Sequence, residues 1–466
     1  MSRQWLLGPI RQRIGSSLAI LAAVTLLGAC LRFYRLGEWS FWRDEIFTLG
    51  TRADGLHISF LGESLVRYLI RWTVALLGQS EWNARLVPAL IGVISIPLLF
   101  FPVRRIFGES AALLFCTTLA VSPWHIYWSQ TARFYVLLML FASLSLLFLA
   151  IGVTKTKPWA AVMALLFMVL AVRESLVGLF VVPIALGHLG ISWLAPERRP
   201  RLSPRIVVPL LALAGVIVAV VSRPYWGDLP SWMEGFGRVN NTPVWLLAAT
   251  VYYIGIPAAC LAVFAAWSQL RRKDPDTVLL VLWSFLPLGA IVAVAGFHYT
   301  ATRYAFISLP AWLILASLGA TQLRAHADRG LQVLTAGVIV LLVAAPLSDD
   351  FLYYNYQNGN RENGRAAFFY VRQQLEPGDL VVAGDPEVGD FYMGARTLPM
   401  GLFHPDRLSH YGRAWFVEGL DSTDLFPGQM GWIQEHATRV ADFDVHAGPR
   451  VFTMRVYLYI VQAGNG

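Results

Sequence analysis

Apolar residues dominate this chain in long runs, broken at intervals by short polar stretches. A helix needs roughly 20 mostly apolar residues to cross about 30 Å of hydrocarbon. Runs of that kind fall at 15–34, 86–106, 109–127, 133–153, 157–172, 176–194, 206–222, 244–267, 277–296, 304–321 and 331–347. The pattern therefore predicts about eleven transmembrane helices, with 157–172 the shortest run. Beyond Leu347 the spanning runs stop. Asp349, Asp350 and the tract Tyr353–Asn358 open a polar tail in which Arg365–Leu375 reads as a helix closed by Glu376-Pro377-Gly378-Asp379. Short apolar runs follow at Leu380–Ala383, Ala414–Val417 and Val451–Val461. Helix, turn and strand in that order predict a small α/β domain.

Composition agrees with the pattern. The 466 residues are 56% hydrophobic and only 14% charged, with a mean hydropathy of +0.54. A soluble domain averages about 25% charged residues, so this is a polytopic membrane protein. The division expected is a transmembrane domain over 1–347, carrying an outer loop at 35–85, and an extracytoplasmic α/β domain over 348–466. The net charge of +8 would suggest nucleic acid in a soluble protein. Here the basic residues sit in alternate short loops instead: Arg3, Arg11 and Arg13; Arg104 and Arg105; Lys155 and Lys157; Arg198, Arg199, Arg201 and Arg205; Arg271, Arg272 and Lys273; Arg324 and Arg329. That alternation is the positive-inside rule. It places the N-terminus in the cytoplasm and, with an odd number of spans, the tail outside the inner (plasma) membrane. The basic start followed by an apolar run reads as an uncleaved signal anchor. Cys30, Cys116 and Cys260 lie within apolar runs and form neither a disulfide framework nor a metal motif.

One stretch of the outer loop has its own period. Between Glu63 and Trp72, Arg67 and Arg71 recur four apart beside Leu65, Leu69, Trp72 and Leu76, a polar stripe and an apolar face that suit a helix lying in the interface. A further span at 63–78 is the other reading, and it would break the charge alternation.

The outer side is where the chemistry gathers. Trp39-Ser40-Phe41-Trp42-Arg43-Asp44-Glu45 follows the first span directly, and ionised groups kept at the edge of hydrocarbon tend to be functional. His125 and Tyr127, Arg133 and Tyr135, Arg173 and Glu174, and His298, Arg303 and Tyr304 sit at other outer span ends. The interiors of the spans are almost free of such groups, which argues against a proton-coupled transporter. A carboxylate can deprotonate an acceptor as general base, and guanidinium groups bind phosphate bidentately. The mixture suits a reaction in which a lipid phosphate leaves while an acceptor attacks its sugar carbon. Plainer readings stand beside it: Arg43 pairing with Glu45, Arg133 and Arg303 snorkelling to the interface, His125 and His298 as structural groups, and Arg173–Glu174 as a local ion pair.

These residues and the segments around them resemble the GT-C glycosyltransferases, in particular the bacterial relatives of protein O-mannosyltransferase and of the aminoarabinose transferase that acts on lipid A. The likeness rests on Asp44-Glu45, Gly78–Leu90, Arg104–Gly108, Ser122-Pro123, Ser129–Tyr135, Thr302-Arg303-Tyr304, Leu309-Pro310 and the Glu376–Asp379 turn. It implies Asp44 as the catalytic carboxylate with Glu45 assisting or positioning, Arg133 near the donor phosphate, and Arg303 as a second group for that role. Arg43, Tyr135, His298 and Tyr304 join them as substrate-binding candidates. The donor implied is a polyprenyl-phosphate sugar, the acceptor a glycolipid, polysaccharide or protein, and the outcome inversion at the anomeric carbon. Many relatives carry a His-Pro-Pro-like motif where this chain reads Gly62–Tyr68, so the donor and acceptor need not be theirs. A divalent metal ion held by Asp44, Glu45 and a histidine is open, without tight ligand spacing to support it. A transporter or flippase of lipid-linked sugars, and a non-catalytic assembly factor for envelope glycans, are the alternatives.

Overall fold

The computed structural model describes residues 4–50, 64–154, 157–194, 215–223 apart from 217 and 221, 242–271, 274–296, 298–326, 329–447, 450–451 and 453–460. The expected span at 206–222 falls largely outside the described residues, as do Gly62, Glu63, Arg3, Lys155, Arg272, Lys273 and the basic cluster from Arg198 to Arg205. The helices are α1 (Gln4–Phe33), α2 (Arg43–Leu49), α3 (Leu65–Leu77), α4 (Glu81–Phe107), α5 (Glu109–Ala120), α6 (Pro123–Ser129), α7 (Tyr135–Thr154), α8 (Pro158–Glu174), α9 (Val181–Leu194), α10 (Pro243–Ile254), α11 (Ile256–Leu270), α12 (Pro275–Val294), α13 (Leu309–His326) and α14 (Arg329–Asn355). Contacts divide the chain into two compact units. The first comprises Met1–Tyr34, Ser59–Tyr68 and Val87–Ser348, and the second Arg35–Ile58, Leu69–Leu86 and Asp349–Gly466.

The first unit is helical. Among the described residues, seven helical segments are long and apolar enough to cross a membrane, and an eighth if α10 and α11 count as one bent span. The protein is multi-pass. The run expected as a span at 109–127 is broken at Val121-Ser122, where α5 stops and α6 begins with Pro123 in its first turn and Ser122 as its N-cap. In hydrocarbon each freed carbonyl needs a partner from within the protein. Arg32, fully buried, supplies it: its guanidinium donates to Leu119 O at 3.1 Å and Ala120 O at 2.9 Å, and meets His125 Nδ1 at 2.6 Å. Gln130 does the same for the end of α1, donating to Arg32 O at 3.0 Å and Tyr34 O at 2.8 Å. The span expected at 244–267 turns through 98° between α10 and α11. Gly255 there has φ +90° and Pro257 lacks an N–H, so the ladder cannot continue. Helices α11 and α13 pack closely because position 319 is glycine: a Cβ there would lie 2.7 Å from Leu261 O.

Helix α3 spans 13 residues, about 20 Å, too short for the hydrocarbon. Its outward face is apolar, with Leu69, Trp72, Leu76 and Leu77 exposed and Arg71 buried. The stripe expected to meet water thus points partly inward. Glu174 caps the helix start, accepting from Leu65 N at 2.7 Å and Val66 N at 3.3 Å, beside the charge of neighbouring Arg173.

In the second unit a five-stranded sheet has the order β2-β1-β3-β7-β4. Strand β1 (Leu380–Ala383) lies between β2 (Leu398–Pro399) and β3 (Arg413–Glu418), all parallel. Strand β4 (Thr438–Phe443) and, after the short pair β5 (His446–Ala447) and β6 (Arg450–Val451), strand β7 (Met454–Ile460) complete it antiparallel. Helices α15 (Gly364–Gln374), α16 (Pro386–Met393), α17 (Ser422–Leu425) and α18 (Pro427–His436) accompany it. Val382, Ala414, Phe416, Met400, Phe403, Met430 and Ile433 form its core. The GT-C-like architecture, a helical membrane part with a C-terminal α/β domain, is the one the residues foretold.

Candidate functional site

The acidic pair sits in the first turn of α2, a seven-residue helix. Its two members have different surroundings. Glu45 is fully buried and joins Arg85, also fully buried, through Nε–Oε1 at 2.9 Å and Nη2–Oε2 at 2.8 Å. The remaining Arg85 donors reach Leu36 O at 3.3 Å, Trp39 O at 3.0 Å and Ser40 O at 3.1 Å, and its guanidinium lies 5.2 Å from the Phe41 ring centre. Every donor of this fork is therefore used to hold the segment 36–45. Asp44, by contrast, is only partly buried. At the other end of α2, Arg71 Nε donates to Thr48 O at 2.9 Å, a cation on the carbonyl end of a helix.

The C-terminal part of the unit grips the same segment. Tyr392 Oη accepts from Phe41 N at 2.6 Å and donates to Glu81 Oε1 at 2.8 Å. Arg365 joins that carboxylate at 2.5 Å and reaches Trp39 O at 3.3 Å. Burial and the neighbouring Glu81 charge push the Tyr392 hydroxyl up, so it stays a donor. Ser40 Oγ donates to Glu362 O at 2.6 Å. Trp39 lies against Gly359, whose φ is +62° and where a Cβ would fall 2.7 Å from the indole ring. Arg43 Nη1 stands 3.4 Å from Asp385 Oδ1.

A group of carboxylates surrounds that last contact. Burial first, and then the charges of Asp385 and Asp421, push Glu362 up to about 8, against the opposing pull of the Leu420 N–H and Arg43. Burial likewise raises Asp385, with Glu387, Asp421 and Asp44 adding to it and Arg43 opposing.

In the first unit the aromatic packing of α6 organises the other expected residues. Phe306, in the 3₁₀ turn Thr302–Ser308, meets Trp124 edge-on at 5.2 Å and Trp128 at 6.1 Å. Trp128 in turn lies 4.1 Å from the ring of buried Tyr135. This brings the segment of Arg133 and Tyr135 together with that of Arg303 and Tyr304. Arg133 lies over Phe134 at 5.2 Å and Arg303 over Tyr304 at 5.5 Å, both partly buried, as is His298 just before the turn.

The donor set does not suit a metal. Among the described residues no three His, Cys, Asp or Glu side chains gather as ligands, and Glu45 spends both oxygens on Arg85. Arg85, Glu362 and Asp385 were not singled out from the sequence, and Arg71 was read only as part of the polar stripe on α3. The signal for Arg85 was an ionisable residue just before a long apolar run; for Asp385, an Asp-Pro directly after a buried strand.

The family model for dolichyl-phosphate-mannose-protein mannosyltransferase matches residues 64–226. No curated protein matches. Among solved structures, apo ArnT from Cupriavidus metallidurans superposes with a TM-score of 0.59 at 15% identity, over 96% of this chain and 98% of that one. The same enzyme bound to undecaprenyl phosphate gives 0.57 at 15% identity, over the same shares of the two chains. The Archaeoglobus fulgidus oligosaccharyltransferase tethered to an acceptor peptide gives 0.58 at 12% identity, over 94% of this chain and 74% of that one. The fold is that of the GT-C glycosyltransferases.

Proposed function

We propose that this chain is an inverting membrane glycosyltransferase that moves a sugar from a polyprenyl-phosphate donor to an extracytoplasmic glycolipid, polysaccharide or protein. The observation that carries the reading is the divergence of the acidic pair: Glu45 is locked on Arg85 while Asp44 keeps a partly open position one residue away. In this reading Asp44 takes the proton of the acceptor hydroxyl or amine. The freed electron pair forms the bond to the anomeric carbon, and the carbon–oxygen bond to phosphate breaks, its electrons leaving with the lipid phosphate. A single displacement of that kind inverts the centre. Arg133 and Arg303 hold the phosphate and offset its growing charge. Tyr135, His298 and Tyr304 line the donor site, Arg43 faces the substrate beside Asp44, and Glu45 positions the helix. The loop charges support a cytoplasmic N-terminus and a tail outside the inner membrane. The printed ligand of the ArnT structure, undecaprenyl phosphate, supports the donor class.

The test is Asp44→Asn in the full chain, in lipid nanodiscs, with a panel of undecaprenyl-phosphate sugars and release of undecaprenyl phosphate as the readout. A general base contributes about 10²–10⁴ in rate, so release should fall by about that factor while the protein still inserts. Undiminished release would overturn the assignment. Turnover by the wild type without a sealed vesicle separates a transferase from a flippase.

A further inference from the structure

We infer that Asp385 is a positioning residue for the transferase, holding Arg43 and through it the turn that carries Asp44, and that its carboxyl neighbour Glu362 makes this hold depend on pH. The inference rests on the reading of Asp44 given above. Its grounds lie in the second unit.

Strands β1 and β3 are parallel and adjacent, paired from Leu380 with Ala414 to Ala383 with Val417. Their carboxyl ends therefore open on the same edge of the sheet, the edge at which open α/β sheets place their ligands. Asp385 follows β1 by two residues, and Gly419 and Asp421 follow β3. The two strand ends are tied together, Gly384 N donating to Val417 O at 3.0 Å, and the loop after β3 is closed on itself by Gly419 N donating to Ser422 Oγ at 2.9 Å. A Cβ at Gly419 would stand 3.1 Å from Asp385 Oδ2 and 3.7 Å from Glu362 Oε1. The two carboxyl groups thus converge on one glycine, with Leu420 N donating to Glu362. The other oxygen of Asp385 faces Arg43 at 3.4 Å. The charged groups around this point are Arg43 and Asp44 from α2, Glu387 from α16, and Asp421 from the loop after β3.

When both acids are ionised, two negative charges converge on one point and repel each other. With Glu362 protonated, Asp385 faces Arg43 without that repulsion, and α2 is held. When Glu362 loses its proton, at about 8, it repels Asp385 and competes for Arg43. The hold weakens, and turnover falls with it. The bonds from Ser40 Oγ to Glu362 O and from Phe41 N to Tyr392 Oη keep the segment in place meanwhile, so the change is one of alignment. A misplacement of about 1 Å can cost roughly 100-fold in rate.

The experiment uses the full chain in nanodiscs with the same undecaprenyl-phosphate sugar panel, following undecaprenyl phosphate release from pH 6 to pH 9.5. The wild type should lose turnover through an alkaline limb centred near pH 8. Glu362→Gln, which stays neutral, should remove that limb. Asp385→Asn should lower kcat about tenfold or more with little change in KM for the lipid, and Asp385→Glu should restore part of the loss. A purely structural role would change the yield of folded protein and leave the pH profile alone. An unaltered limb in Glu362→Gln, or an unaltered kcat in Asp385→Asn, overturns the inference. If Asp385→Asn fails to fold, Glu362→Gln and Asp385→Glu decide alone, the first keeping the side chain's shape and the second its charge. Asp44→Asn run in parallel separates the two claims: its activity would sink the functional reading, whereas its inactivity beside wild-type profiles in the other variants would sink only this one.

Discussion

Replacing Arg85 by Met removes the cation that Glu45 was folded around. Both side chains are fully buried, so the carboxylate left behind has no solvent to turn to. Breaking such a pair from one side costs about 3–5 kcal/mol. The carbonyls of Leu36 and Ser40 lose their donor as well, at about 1 kcal/mol for each that finds no substitute, while Trp39 O keeps Arg365. The sum is about 4–7 kcal/mol, comparable to the whole stability of many domains. Of this cluster only Arg85 lies on a helix long enough to span, in the first turns of α4, so the loss should appear as local opening of the segment 36–49. Limited proteolysis of the protein in nanodiscs, with mass analysis of the cut sites, reads that opening directly. Cleavage there should rise by orders of magnitude in Arg85→Met, and donor turnover should vanish. Adding Glu45→Leu removes the stranded charge and should recover about half of the resistance, because most of the penalty belongs to the unpaired carboxylate. Wild-type resistance in Arg85→Met, or a double variant no better than the single one, would refute the account of this pair.

Three further outcomes follow from the same geometry. The raised pKa of Glu362 means that the folded protein holds a proton that the unfolded chain releases above its ordinary value near 4.5. Stability of the second unit is therefore fully supported below about pH 4.5, declines as pH rises towards about 8, and levels off above it. For this half-buried carboxyl the swing is about 1–3 kcal/mol, measurable as a pH-dependent melting point that Glu362→Gln should flatten; an equally steep curve in that variant would refute it. Gly359→Ala forces a side chain onto φ +62° and against the Trp39 ring, and should cost about 1–3 kcal/mol, read as a lower melting temperature. Arg133→Gln and Arg303→Gln should each weaken donor use by about tenfold or more, seen in kcat/KM for the undecaprenyl-phosphate sugar; unchanged kcat/KM in both would remove them from the phosphate site.

The sequence disclosed what depends on local pattern. Spanning helices announce themselves because every residue in the run must be apolar, and the strands Leu380–Ala383 and Arg413–Glu418 do so because buried parallel strands read as continuous apolar stretches. Breaks inside the spans were harder to see. Hydropathy passes smoothly through Val121-Ser122 and Gly255, and only Ser-Pro and Gly-Ile-Pro mark the turn. The stripe of Arg67 and Arg71 was legible as a period, but its direction depends on what lies opposite, and Arg71 turned towards Thr48 O. Longest in reach are the bonds that build the site. Phe41 N meets Tyr392 across 351 positions and Ser40 meets Glu362 O across 322, separations at which no periodicity carries information. The GT-C likeness supplied what pattern could not, by fixing which outer residues to watch.

Why two acids stand side by side follows from the pitch of the helix that holds them. Successive residues on an α-helix point about 100° apart, so neighbours cannot share one environment. On α2 the buried positions are Glu45, Ile46, Thr48 and Leu49, the spacing of a single inward face, while Phe47 is exposed and Arg43 and Asp44 are partly so. The helix has only seven residues, too few to be stable alone, and its own apolar face is small. An inward carboxylate bound by a five-donor fork gives that face a directional lock that Ile46 and Leu49 could not provide by packing. The second acid is only partly buried, the position that the proposed proton transfer needs. In that proposal, a base on a short clamped helix instead of a spanning one also keeps an ionisable group out of hydrocarbon, where it would be costly. The same clamp fixes its aim through Arg85, Arg71 and the C-terminal residues of the second unit.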